Sequence, residues 1–203
     1  MIQASFPEIQ EIVIQKLTAG LSDKLTYHHV KHTLDVLEQC QIIANLEEIT
    51  ATEDIFLLKV SALYHDIGFL DTYNGHEDRS CQIAEIDLIE INFTSAQKEV
   101  IFGLIKATQV PQKPQSKLQG IICDADIDYL GRNDFISIVN GLYQEFLWQG
   151  IVKKIELDWN RIQVKFLESH QYFTISSKNR REQKKQEHLA QVKAKVAQLE
   201  LQL

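Results

Sequence analysis

The sequence predicts an all-α protein, and three observations carry that prediction. Apolar residues recur every three or four positions almost throughout the 203-residue chain. That is the period of an amphipathic helix, not the alternation of a half-buried strand. Three prolines and eight glycines leave little room for a turn-rich β architecture. An apolar fraction of 44% suffices for a buried core, and the length fits one domain with a terminal appendage.

The elements follow in order. Phe6, Ile9, Val13 and Leu17 mark one face of a first helix, with Pro7 suited to its first turn and Gly20 to its end. Thr26 is placed to cap a second helix, whose inner stripe reads Val30, Leu34, Leu37 and Ile42. Thr52 opens a third helix with Ile55, Leu58, Ala62 and His65 in step, ending near Gly68. After a loop at 71–75, a helix from about His76 to Ile91 puts Ile83, Ile86 and Ile89 inside. Thr94 or Ser95 caps the next, to about Thr108. Two prolines, at 111 and 114, mark 110–117 as a surface loop too short to link domains. A helix then runs from Lys117 through Tyr129, and Gly131 stops it. Asn133 caps another carrying Phe135, Ile138, Val139, Leu142 and Phe146, which Gly150 breaks. Trp159, Ile162, Phe166 and Leu167 give a further helix, and both Trp148 and Trp159 read as core.

Ser177 starts a last helix of Lys, Arg, Gln and Glu, with a narrow stripe at Leu189, Val192, Val196 and Leu199. Such a stripe docks on the domain or on a partner helix, which leaves a homodimer open. The expected organisation is a domain over 1–175 and a charged amphipathic C-terminal helix over 176–203. The basic run from Lys178 to Lys185 is interrupted by acid and Gln and holds no aromatic residue, so it reads as a solvated face.

A net charge of −7 argues against binding a nucleic-acid polymer. It does not argue against a small phosphate substrate at a bound cation. Three widely spaced cysteines fit buried thiols in a reducing cytoplasm. No apolar run is long enough to span a membrane, and no secretory leader is visible. Phosphate-binding and dinucleotide glycine loops are missing, as is a Gly-x-Ser-x-Gly elbow.

Three segments carry the candidate chemistry. The first is Tyr27-His28-His29-Val30-Lys31-His32-Thr33. On a helix, His28 and His32 share one face and His29 points elsewhere. The pair can bind a metal or serve as exposed or capping histidines. The second, Leu63-Tyr64-His65-Asp66-Ile67-Gly68, ends an apolar helix, where a buried carboxylate needs a metal or a cationic partner. The third, Cys123-Asp124-Ala125-Asp126-Ile127-Asp128, follows an apolar stretch and could alone be a solvated acidic turn. Two histidines and two aspartates from three segments can enclose one divalent ion, and mixed imidazole and carboxylate ligation with room for water is a hydrolytic site.

Together these segments resemble the HD superfamily of metal-dependent phosphohydrolases, named for its adjacent His-Asp pair, over roughly residues 21–140. The resemblance implies an HD-domain-like multi-helix bundle. It implies His32, in His-Thr-x-x-Val form, as the first metal ligand, His65 and Asp66 as the doublet, and Asp126, in an Ala-Asp context, as the last. Asp124 is the alternative for that role, or an acceptor orienting a ligand. Tyr27-His28-x-x-x-His32 also resembles the start of the cyclic nucleotide phosphodiesterase signature. That implies His28 as general acid, with a structural histidine as its other reading; Asp66, which like Asp126 could orient the attacking water, is the second catalytic candidate.

His76-Glu77-Asp78-Arg79-Ser80 resembles a helix start found in several HD families. There a histidine binds a second metal together with a histidine on the following helix. Here that helix has none, and Thr108 stands at about its place, which implies one metal and makes His76 a substrate-contacting or ligand-supporting residue. The Lys expected after His-Asp-Ile-Gly is replaced by Phe69. Of the nearby basic residues Lys31, Arg79, Lys106 and Arg132, Arg79 is the first choice for a phosphate contact.

The implied cofactor is a divalent metal, one of Mn, Fe, Co, Ni, Zn or Mg. The implied activity is hydrolysis of a phosphoester or phosphoanhydride of a small phosphorylated molecule, a nucleotide or cyclic nucleotide. The alternative is a regulatory HD domain holding metal and nucleotide without turnover. An iron-dependent oxygenase of the same fold needs two metals, against which Thr108 counts.

Overall fold

The computed structural model describes residues 5–153 and 155–202. Among them are nine α-helices and no strand: α1 (Phe6–Gly20), α2 (Val30–Leu46), α3 (Thr52–Tyr64), α4 (His76–Glu90), α5 (Ser95–Ala107), α6 (Lys117–Asp126), α7 (Phe135–Trp148), α8 (Glu156–Ser169) and α9 (Ile175–Glu200). Two 3-10 turns, Ile67–Leu70 and Asp128–Gly131, complete the order. The expected all-α class is what the chain adopts. Among the described residues no helix is long and apolar enough to cross a membrane.

The chain forms two compact units. One holds the residues through Asp23 and His28–Asp126; the other holds Lys24–Tyr27 and the residues from Ile127 onward. This division falls some fifty residues before the 175/176 boundary read from the sequence, and α9 lies wholly inside the second unit.

In the first unit α3 is the central element, packing against α1, α2, α4, α5 and α6. Its second half, Leu57 to Tyr64, is buried on every side except at Lys59, as expected of a helix apolar all round. The core around it comprises Ile9, Val13 and Leu17 of α1, Val36, Cys40 and Ile43 of α2, Leu88 of α4, Ile101 and Leu104 of α5, and Ile121 and Ile122 of α6. Each such side chain contributes about 1.5–3 kcal/mol by leaving water. The C-terminal end of α3, where His65 and Asp66 follow, is thereby held in the interior.

Several expectations for this unit are corrected. Thr26 does not cap α2; its hydroxyl donates to the carbonyl of Gly141 in the second unit's own packing. The helix starts later, at Val30, with His29 as its N-cap. Its inner face is Thr33, Val36, Leu37, Cys40 and Ile43, and Leu34 is exposed. On α4 only Ile83 of the three isoleucines is inside; Ile86 and Ile89 face solvent. That helix packs closely through small residues, Ser80, Cys81 and Ala84, together with Leu88. All three cysteines are free and buried.

The second unit is built on α8 packed along α9, with the Asp128–Gly131 turn against α9. Gly131 is required there, because a Cβ would lie 2.4 Å from the carbonyl oxygen of Arg181. Tyr129, Leu130, Phe135, Val139, Trp159, Leu167, Leu189 and Val192 form its core. The cap of α7 is Asp134, one residue after the expected Asn133, and that of α9 is Thr174, three residues before the expected Ser177. Trp148 is exposed while Trp159 is buried. Lys185, read as part of a solvated face, is 1% exposed. Its ammonium bonds the Glu182 carboxylate at 3.0 Å and the His170 carbonyl at 2.8 Å. Asp128, the third acid of the acidic run, is buried and paired with Arg181 at 2.8 Å.

Candidate metal centre

Each predicted segment delivers its side chain through a local device. Where α3 ends, the chain turns tightly through Ile67–Leu70. Gly68 makes this turn fit, since a Cβ there would lie 2.0 Å from the carbonyl oxygen of His76. Ser80 Oγ locks the approach, accepting from Gly68 N and donating to His65 O, both at 2.8 Å. His65 Nδ1 lies 2.9 Å from the Ala62 carbonyl. A carbonyl only accepts, so Nδ1 carries the proton and Nε2 presents a lone pair. On α2, His29 Nδ1 accepts from His32 N at 3.2 Å, which caps the helix and sets His32 in its first turn. Asp126 is the last residue of α6.

These devices bring His32, His65 and Asp66, all buried, into one group whose ligating atoms lie within 4.8 Å of one another. His65 Nε2 is 3.3 Å from His32 Nε2 and 3.2 Å from Asp66 Oδ2. His32 Nε2 is 3.3 Å from Asp66 Oδ2. Asp126 Oδ1 stands beside both imidazoles, 3.3 Å from His32 and 3.7 Å from His65. Atoms bound to a common ion at about 2.0–2.2 Å lie about 3.0–3.5 Å apart. The three closest ligating atoms are spaced as one ion would require. Asp66 Oδ2 is buried and accepts no hydrogen bond. An orphaned buried carboxylate oxygen facing two imidazole nitrogens is costly unless a cation, a proton or a metal ion, lies among them.

The electrostatics point the same way. Burial would lower the His32 pKa, but the carboxylates of Asp126 and Asp66 beside it push it up to about 10. Burial would raise the Asp66 pKa, but the imidazoles of His65, His32 and His76 around it hold it well below the usual carboxylate range. The pocket thus favours positive charge among these groups.

The other predicted residues are placed as follows. His76 opens α4, with Nδ1 3.2 Å from the Tyr73 carbonyl and Nε2 3.4 Å from Asp66 Oδ1. His28 precedes α2 and so does not share a helix face with His32; their ring centroids are nevertheless 5.9 Å apart. Arg79 is not brought to the group; Asp71, at 2.6 Å, and Gln82 hold its guanidinium. Lys106 pairs with Asp78, and Arg132 with Asp134. Asp124 is fully buried two residues before Asp126, about 200° away around the helix. Thr108 is buried, and its hydroxyl donates to Ile105 O.

Three contributors escaped the sequence reading. Gln112 Nε2 approaches Asp126 Oδ2, Ser80 ties α4 to the His65 turn, and Phe69 packs on both His28 and His76. Each acts through tertiary contact and leaves no spacing signal. The replacement of an expected Lys by Phe69 was the one available hint.

Residues 30–128 match the family model described as HD domain, a span that contains His32, His65, Asp66 and Asp126. These residues form an HD domain. HD domains are mostly metal-dependent hydrolases and typically bind a divalent metal. In this HD domain the His-His-Asp group fits such an ion. No curated protein and no solved structure matches the chain to narrow this further.

Proposed function

We propose that this HD domain is a metal-dependent phosphohydrolase acting on a small phosphorylated molecule, with nucleotides, including cyclic nucleotides, as the preferred class. The observation that carries the reading is Asp66 Oδ2, buried, without a hydrogen bond and facing two imidazole nitrogens. His32, His65, Asp66 and Asp126 would hold one divalent ion. Asp126 is preferred over Asp124 because its Oδ1 adjoins both imidazoles. Such an ion supplies Lewis-acid polarisation of a phosphoryl oxygen and activation of a water.

The remaining work falls to the chain's own residues. Asp66 and Asp126 orient the attacking water. His28, at the rim and next to His32, protonates the leaving oxygen. His76, hydrogen-bonding distance from Asp66, contacts the phosphoryl group or steadies Asp66. Arg79, tied to Asp71 and Gln82, is left out of this proposal.

The test is elemental analysis of untagged protein, followed by a screen of phosphomonoesters, phosphodiesters and nucleotides under the metal found. About one equivalent of metal and metal-dependent turnover, both lost in His65→Ala and Asp66→Ala, are expected. Metal without turnover on any substrate would leave a regulatory module. No metal, and none taken up, would sink the hydrolase.

A further inference from the structure

Phe69 is in near-parallel contact with two imidazoles. Its ring centroid lies 4.1 Å from His28 at an interplanar angle of 24°, and 4.0 Å from His76 at 23°. The imidazoles are 6.1 Å apart and inclined at 47° to each other. The two imidazole centroids subtend roughly a right angle at the phenyl centroid, so one phenyl ring bears on both imidazoles at once. Tyr73 closes the cluster edge-on, 5.1 Å from Phe69 and 6.0 Å from His28. Phe69 is 8% exposed, so the wedge is itself held by packing.

His28 lies outside any helix, and both histidines are only half-buried. An imidazole there can rotate about two side-chain torsions. The backbone contact at His76 Nδ1 fixes its tautomer and one anchor point; the aromatic face fixes the ring plane. Offset stacking on a phenyl is a favourable geometry for such a ring. The charged group Asp66 approaches His76 from the opposite edge, at 3.4 Å from Nε2.

We infer that Phe69 is a positioning residue, a phenyl wedge that sets the spacing and tilt of the His28 and His76 imidazoles beside the metal centre. It makes none of the contacts within the His32, His65 and Asp66 group, so it acts on that group only through the two histidines. The placement of the rings stands on geometry alone. Its consequence for turnover rests on the hydrolase reading.

The experiment compares wild type with Phe69→Leu, which keeps apolar bulk without a ring, and Phe69→Tyr, which keeps the ring. Imidazole C–H resonances of His28 and His76 are assigned with His28→Gln and His76→Gln. In wild type and Phe69→Tyr these resonances are expected upfield, from the aromatic ring current, and to return toward ordinary positions in Phe69→Leu. Bound metal is expected unchanged in all three proteins. On bis(p-nitrophenyl) phosphate, Phe69→Leu is expected to lose about 100-fold in kcat with KM little altered, as displaced catalytic groups do. Phe69→Tyr is expected to retain wild-type turnover.

Should Phe69→Leu not fold, Phe69→Met serves in its place. Histidine resonances that stay put when the ring is removed would overturn the inference, as would metal lost together with the ring. If wild type hydrolyses nothing, the hydrolase reading fails while the resonances still decide the wedge.

Discussion

Gln112 Nε2 lies 3.4 Å from Asp126 Oδ2 and 3.3 Å from the carbonyl oxygen of Cys123. The amide therefore bridges the loop after α5 to the last turn of α6, on the carboxylate oxygen opposite the one that adjoins His32. Groups that orient a ligand carboxylate are typically worth 10–100-fold in metal affinity. Gln112→Ala is expected to weaken metal binding by about that factor, measured by competition with a chromophoric chelator. Unchanged affinity would show that Asp126 is oriented by other contacts or is no ligand.

Gly68 and Ser80 form the joint between the His65 turn and α4. At Gly68 a new Cβ would meet backbone atoms, the His76 carbonyl oxygen at 2.0 Å and Ser80 N at 2.8 Å. Backbone cannot yield as a side-chain tip does, so Gly68→Ala is expected to cost at least about 1–3 kcal/mol. Ser80→Ala leaves the buried Gly68 N and His65 O without their shared partner, at about 1–3 kcal/mol. Urea unfolding checks both: the midpoint should fall with the slope unchanged. A Gly68→Ala protein as stable as wild type would mean that α4 can slide away from the turn.

The site and the fold were legible in the sequence to different depths. Helical spacing revealed α1 because Ile9, Val13 and Leu17 make a plain apolar face, and α3 because its second half is apolar all round. It misplaced the inner face of α4, where Ile86 and Ile89 point outward and small residues make the contact. Counting apolar volume favours isoleucine over Ser80 and Ala84, whereas close helix packing does the reverse. The start of α2 was misread because Thr26 has a favoured capping side chain. Its hydroxyl is taken by Gly141, and an imidazole caps instead. His65 and Asp66 were readable because an ionisable group ending an apolar helix demands a partner, and His32 because its His-Thr-x-x-Val setting resembles the family pattern. Gln112, Phe69 and Lys185 were not, since each is explained only by what lies across the fold from it.

His170 gives the second unit a pH dependence of definite sign. Burial, and then the nearby charge of Lys185, push its pKa down to about 4. The Lys185 ammonium lies 3.5 Å from His170 Nδ1. An unfolded histidine takes its proton near pH 6.5, so between about 6.5 and 4 the unfolded chain binds the proton and the folded chain does not. Stability is therefore lost as pH falls through this window, and levels off below about 4. Between pH 7 and pH 5 the contribution is roughly 1–2 kcal/mol. His170→Gln removes the titrating group, so its stability should fall less than wild type over that interval in chemical denaturation. Equal losses in both proteins would place the acid sensitivity elsewhere.

Metal binding and proton donation are expected to separate by mutation. A ligand that binds only the folded state stabilises it by about 2.7 kcal/mol at a hundredfold excess over its dissociation constant. Added divalent metal should therefore raise the melting temperature of metal-stripped wild type. His65 and Asp66 face the centre with their ligating atoms, so His65→Ala and Asp66→Ala should show no such rise. His28 precedes α2, with its ring against Phe69. His28→Ala should keep the metal-dependent rise while losing about 10²–10⁴-fold in turnover, the usual worth of a general acid. Loss of both effects in His28→Ala would make His28 a ligand. Loss of neither would reduce it to a structural partner of Phe69.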